Sequence, residues 1–220
     1  MKKVILVILA GMFAFGTALA QPSFTIGLGL NHGAFAGEGR EENFNEGTLN
    51  TVTEEYGAFK DTFASIYAEM GNDVGSIGLS YQGDAATPTN VNEKNGPDVS
   101  GETLANTSVS VDFSSVITIY GMINLPLNTY LKAGYVEGDI VINENQRSGN
   151  TYADRDLKGY VAGFGYQHEV DAVNVRFELL GHTYDDVETN NGVAATGNHN
   201  KVRVSNMYGA TAQISVNKSF

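Results

Sequence analysis

The chain has 220 residues and a formal net charge of −12, with no cysteine, no tryptophan, 26 glycines and only four prolines. The acidic balance argues against nucleic acid as a partner. Without cysteine there are no disulfides and no lipid-bearing residue at a processing site.

Residues 1–20 have the three parts of a secretory signal peptide. Lys2 and Lys3 precede an uncharged apolar stretch from Val4 to Phe15, and Ala18-Leu19-Ala20 stands before Gln21. Gly11, Gly16 and the small residues at the end speak against a membrane-spanning anchor. Cleavage after Ala20, with Ala18, Ala20 and Gln21 at the site, leaves a mature chain of residues 21–220. Residues 1–20 hold two of the 13 basic side chains, so 11 basic and 25 acidic ones remain, a net charge of −14. No Pro-rich or Ser-rich linker divides this remainder, which suits one domain.

Eight segments of alternating polarity follow, at about 24–31, 58–70, 74–82, 109–123, 129–142, 157–167, 173–185 and 201–220. In the first, Phe24, Ile26, Leu28 and Leu30 share a face opposite Thr25, Gly27, Gly29 and Asn31. In the second, Ala64, Ile66, Ala68 and Met70 compete with Phe63 and Tyr67. Placing the former outside leaves Glu69 inside. The fourth keeps Val109, Val111, Phe113, Ile117, Ile119 and Ile123 on odd positions, predicting one apolar face along its whole length. In the seventh, Val173, Val175, Phe177 and Leu179 oppose Asn174, Arg176 and Glu178. Phe113 to Leu131 is free of charge for nineteen residues. Its β-branched first half and the Asn124, Pro126 and Asn128 of its second make it two strands around a turn rather than a helix.

The connections alternate in length without exception: 32–57, 71–73, 83–107, 124–128, 143–156, 168–172 and 186–200. Short turns on one side and long loops on the other predict an all-β fold, an eight-stranded antiparallel up-and-down transmembrane β-barrel with periplasmic turns and extracellular loops. A soluble barrel would need charge along its outer face. Here the mid-strand charges are Glu69, Lys132, Arg176 and Glu178, which as a lumenal network could pair across a narrow interior. The long loops carry 11 of the 14 net negative charges, and none has the spacing of a dedicated calcium loop. No metal or cofactor is expected. Outer-membrane lipids and lipopolysaccharide are the expected surroundings.

The last strand reads Ala212-Gln213-Ile214-Ser215-Val216-Asn217-Lys218-Ser219-Phe220. With Ile214, Val216 and a terminal Phe220, it resembles the insertion signature of bacterial outer-membrane barrels. Lys218 departs from the apolar residue usual there, and can snorkel its amine to water. In architecture the whole mature chain is similar to small barrels of the OmpA and OmpX type. That resemblance implies the outer membrane of a Gram-negative cell, the barrel-insertion machinery as a partner, and a monomer. The end at Phe220 implies no periplasmic peptidoglycan-binding domain.

Eight strands enclose an interior just wide enough to be filled by side chains, here with bulk from Tyr130, Arg176, Glu178, His182 and Tyr184. A non-enzymatic envelope protein presenting acidic loops is therefore expected. One alternative is a narrow porin-like channel, if Gly27 and Gly29, or Gly159, Gly163 and Gly165, leave room for water rather than serving curvature. The other is a lipid-modifying enzyme. Of His32, His168, His182 and His199, the suggestive neighbourhood is that of His182 near Asp185 and Asp186, and no serine motif accompanies it. The first strand begins almost at once, leaving no place for the N-terminal helix of the palmitoyl-transferring barrel. No catalytic residue is assigned.

Overall fold

A computed structural model of the chain describes residues 22–86, 90–93, 106–145, 152–193 and 199–220. The cleavage-site residues Ala18, Ala20 and Gln21 lie outside the described residues. The strands are β1 (Ser23–Asn45), β2 (Thr48–Gly71), β3 (Gly75–Gln82), the short β4 (Ala85–Ala86) and β5 (Asn90–Glu93), β6 (Asn106–Leu125), β7 (Thr129–Asn145), β8 (Arg155–Val170), β9 (Val173–Tyr184), the short β10 (Val187–Asn190) and β11 (Asn200–Ser219).

Backbone groups inside a bilayer must pair within the protein, so a sheet with one apolar face has to close on itself. Here it closes. The long strands pair in the order β1-β2-β3-β6-β7-β8-β9-β11, antiparallel throughout, and β11 pairs back onto β1. Among the described residues this is an eight-stranded up-and-down barrel. Stepping across the ladder from Thr25 reaches Glu69, Gly78, Tyr120, Gly134, Val161, His182, Gly209 and then Phe35, ten positions beyond the start on β1. A stagger of that size over eight strands tilts them about 40° from the axis.

Burial is the inverse of that in a soluble barrel. Leu28, Leu30, Ile66, Ile123, Leu131, Phe164, Phe177, Leu179, Ile214 and Val216 are exposed on the outside. Thr25, Asn31, Glu69, Lys132, Arg176, Glu178 and Gln213 are buried inside. An apolar outside with charges inside is stable only where lipid replaces water around the wall. Exposed aromatics bound the belt, with Tyr81, Tyr160 and Tyr208 towards the long loops and Phe24, Tyr166 and Phe220 towards the short turns. The chain is an outer-membrane β-barrel.

Three expectations are corrected. First, residues 32–57 are not a loop: β1 and β2 pair continuously up to Asn45 and Thr48. Glu46 and Gly47, with φ of 48° and 79°, make the left-handed two-residue turn that matches strand twist. A membrane strand needs about ten residues, so this hairpin rises roughly 25–30 Å beyond the bilayer.

Second, β6 does not keep one face along its length. Its register with β7 shifts between Ser114 and Ile117, and Ser115 adopts a φ of 53°. One extra residue opposite Gly138 inverts the side-chain alternation. Ile117 and Ile119 stay on the lipid wall, whereas Val111 and Phe113 turn inward and pack in the lumen. A second shift, between Ala36 and Glu38, sits opposite Asn206 of β11, whose φ is 52°.

Third, polar residues fill only part of the lumen. Its loop-side half is an apolar layer of Val116, Val136, Ile140, Leu157, Val161 and Leu180, backed by Val111, Phe113, Ile142, Tyr184 and Val187. The β6 bulge adds Val111 and Phe113 to this layer.

Candidate functional site

The polar half of the lumen is built by side chains from β2, β6, β7 and β9. Period-two alternation sends Glu69, Lys132, Arg176 and Glu178 inward, and the ladder brings them to similar heights. They form two ion pairs. Lys132 Nζ lies 3.0 Å from Glu178 Oε2, and Arg176 NH1 lies 2.6 Å from Glu69 Oε1. All four side chains are at most 7% exposed, so each charge depends on its partner rather than on water.

Three tyrosines complete the network. Tyr120 donates its hydroxyl to Glu69 Oε1 at 2.7 Å, and Tyr130 donates to Glu178 Oε1 at 2.8 Å. The Tyr67 hydroxyl bonds Ser215 at 3.0 Å. Arg176 also donates from Nε to Gln167 Oε1 at 2.5 Å, and its guanidinium stands 5.6 Å from the ring centres of both Tyr67 and Tyr130. Lys132 Nζ sits 4.0 Å above the Tyr120 ring. Both cations are thus held by a carboxylate and by ring faces, which favour a partly desolvated cation.

Glycines give these rings their places. Tyr67 is the direct ladder partner of Gly27, Tyr120 of Gly78 and Tyr130 of Gly165. A Cβ on those glycines would fall 2.2 Å from Tyr67, 2.4 Å from Tyr120 and 2.2 Å from Tyr130. The space beside the lumenal glycines Gly27 and Gly165 is therefore taken by phenol rings. At Gly159 and Gly163 a Cβ would instead meet the backbone carbonyls of Thr183 and Leu179, at 2.2 and 2.0 Å. Those two permit close strand approach, as a tightly curved wall requires.

Above the ion pairs lies an aromatic tier. Phe59 stacks between Phe35, 5.2 Å away, and Phe113, 5.5 Å away. His182 packs 6.0 Å from the rings of both Phe35 and Tyr184. Its Nε2 shares a 2.9 Å hydrogen bond with Thr211 Oγ1, and its Nδ1 has no partner. Asp186 instead pairs with Arg203 in an exposed ion pair, and Asp185 is exposed. The acids adjacent to His182 in sequence therefore do not join it in a triad. His32 faces the outside and bonds Thr62 at 2.8 Å, and His199 Nδ1 meets the Val193 carbonyl at 2.8 Å. His168 stacks on Tyr166 at 6.4 Å. No group of three or more metal-ligating side chains converges among the described residues.

At the other end Ile214 and Val216 point to lipid and Phe220 is exposed at the rim. Lys218 Nζ lies 5.4 Å from the Phe220 ring centre, folding its stem over the terminal aromatic. The tyrosine–glycine pairs escape sequence reading because they join residues 30 to 50 positions apart. Only the register reveals them.

No family model matches the chain, and no curated protein is similar to it. Several solved structures are similar to it. OprG of Pseudomonas aeruginosa is 14% identical with a TM-score of 0.47, covering 88% of this chain and 96% of that one. The attachment invasion locus protein Ail of Yersinia pestis, solved with the heparin analogue sucrose octasulfate, is 10% identical with a TM-score of 0.39, covering 87% and 99%. The outer membrane protease OmpT of Escherichia coli is 9% identical with a TM-score of 0.38, covering 89% and 97%. The barrel follows from the chain's own ladder and burial rather than from these likenesses.

Proposed function

We propose that this outer-membrane barrel is a non-enzymatic, non-conducting anchor that presents a tall extracellular β-structure at the cell surface. The observation that carries this reading is what occupies the lumen. Two buried ion pairs with three tyrosines fill one half, and an apolar layer with stacked phenylalanines fills the other. An ion entering the apolar half would lose its hydration with no polar lining to replace it. The strand length invested beyond the bilayer in β1 and β2 is the second support, since membrane anchoring alone does not need it.

Planar-bilayer recording of the purified mature protein tests the reading. The expected trace shows no unitary conductance above leak. Discrete, voltage-stable openings would refute it and favour the narrow channel. For the enzymatic alternative, His182→Ala is expected to leave lipid A and peptide-cleavage profiles of the host cell unchanged. An altered profile would overturn the non-enzymatic part.

A further inference from the structure

The lysine that departs from the terminal signature stands alone in its surroundings. Ile214, Val216 and Lys218 share the outward parity of β11, and Lys218 is exposed. Among the described residues, every other Lys, Arg, Asp or Glu of the long strands has inward parity or lies at the long-loop end. Asp73 and Asp171, at the same end as Lys218, belong to turns and not to the wall. Lys218 is therefore the one permanent charge that the described outer wall carries at the level of the inner leaflet. A cation at a lipid boundary needs water or an anion beside it. No carboxylate of the described residues stands within ion-pair distance of Lys218, and its amine lies 5.4 Å from the Phe220 ring centre.

Next to Lys218 on the same outer face, β9 carries Val173 and Val175. Val175 is the ladder partner of Val216 on one side and of His168 on the other. His168 stacks on Tyr166, with ring centres 6.4 Å apart and planes within 12° of parallel. Both valines are half-buried, whereas Phe177 and Leu179, further up the same face, are each 51% exposed. The larger side chains on either side shield the two valines and leave a shallow groove. Its floor is Val173 and Val175, one wall is the Tyr166–His168 stack of β8, and the other is the Lys218–Phe220 pair of β11. Adjacent strands lie about 4.8 Å apart, so the walls stand about 10 Å from one another. An amine and an imidazole on opposite walls of that width can share one phosphate group.

We propose that this groove seats one anionic phospholipid of the inner leaflet. Lys218 and His168 donate to its phosphate, and an acyl chain runs over Val175 towards Phe177. The charge is complementary, since this part of the wall offers a cation and no acid. The position fits as well, because the exposed rings of Phe24, Tyr166 and Phe220 mark the interface where phospholipid headgroups lie. A dissolved anion would use the two donors but not the valine floor, whereas a lipid uses both.

Native mass spectrometry of the mature protein tests the site, after incubation in neutral detergent with equal amounts of phosphatidylglycerol and phosphatidylcholine. One phosphatidylglycerol is expected to stay on each barrel in preference to phosphatidylcholine. Lys218→Gln should cut the retained phosphatidylglycerol about fivefold, and adding His168→Gln should weaken it further. Lys218→Arg keeps the charge and should keep the lipid. Lys60→Gln removes a lysine at the long-loop end and should change nothing. In nanodiscs, exchanging phosphatidylcholine for phosphatidylglycerol should shift the methyl resonances of Val173 and Val175 and leave those of Leu30 in place. Should Lys218→Gln not fold, these valine resonances in the unaltered protein decide.

Equal retention of the two lipids overturns the proposal. So does full retention by a folded Lys218→Gln variant, or valine resonances indifferent to lipid composition. Displacement of the lipid by excess inorganic phosphate also overturns it, since the groove would then hold a free anion rather than a membrane lipid.

Discussion

The Lys132–Glu178 pair allows a double-mutant cycle whose outcome follows from burial. Lys132→Met leaves the Glu178 carboxylate, 2% exposed, with only the Tyr130 hydroxyl as a donor. Glu178→Gln keeps an acceptor for Tyr130 but strands the ammonium of Lys132 over the Tyr120 ring. Removing one member of a buried pair costs about 3–5 kcal/mol, because the remaining charge is neither hydrated nor paired. Each single variant should lose about that much. The double variant has no charge left to strand, and replacing a buried pair by neutral groups is commonly neutral to within a kcal/mol or two. The two single losses should therefore exceed that of the double variant by a coupling energy of at least about 4 kcal/mol. Reversible urea unfolding in lipid vesicles, followed by tyrosine fluorescence because the chain has no tryptophan, measures all four corners. Single-variant losses that simply add in the double variant, with coupling below about 0.5 kcal/mol, would show that the two groups do not depend on one another and refute the reasoning.

Other perturbations separate the two halves of the lumen. Gly27→Ala places a methyl 2.2 Å from the Tyr67 ring and should destabilise by about 1–3 kcal/mol. Adding Tyr67→Ser should recover part of that loss in the same unfolding assay. Deleting Ser115 removes the extra residue opposite Gly138 and should turn Phe113 away from Phe59. The deletion should cut the yield of heat-modifiable protein on gels, and a wild-type yield would mean that the bulge does not set the inner face. The Arg203–Asp186 pair, with its side chains 51% and 45% exposed, should contribute little. Asp186→Asn is expected to change stability by less than about 0.5 kcal/mol, and a larger loss would mean that this exposed pair is better shielded than its surface position indicates.

The lipid-facing wall was legible in the amino-acid order because it needs only local information. Phe24 to Leu30 on β1 and Val175 to Leu179 on β9 alternate strictly, and alternation in a strand is a statement about two faces. The choice of Ala64, Ile66, Ala68 and Met70 as the outer set of β2 rested on the single charge of Glu69, and burial of that residue settles it. The outer hairpin was not legible. Residues 49–58 are exposed on both faces, so no alternation marks them and they read as a loop. The β6 bulge was hidden too, since neither Ser114 nor Ser115 signals the left-handed φ that inverts the strand.

By itself, the order of residues determined the eight alternating segments and the inward parity of Glu69, Lys132, Arg176 and Glu178. Each depends on residues close together in the chain. Only the tertiary structure decided which charge meets which, because a pair across the lumen depends on the ten-residue stagger of the closed ladder and on the glycines that seat Tyr67, Tyr120 and Tyr130. It alone also added Val111 and Phe113 to the apolar layer above those charges, since a one-residue bulge turns the side chains beyond it to the other face.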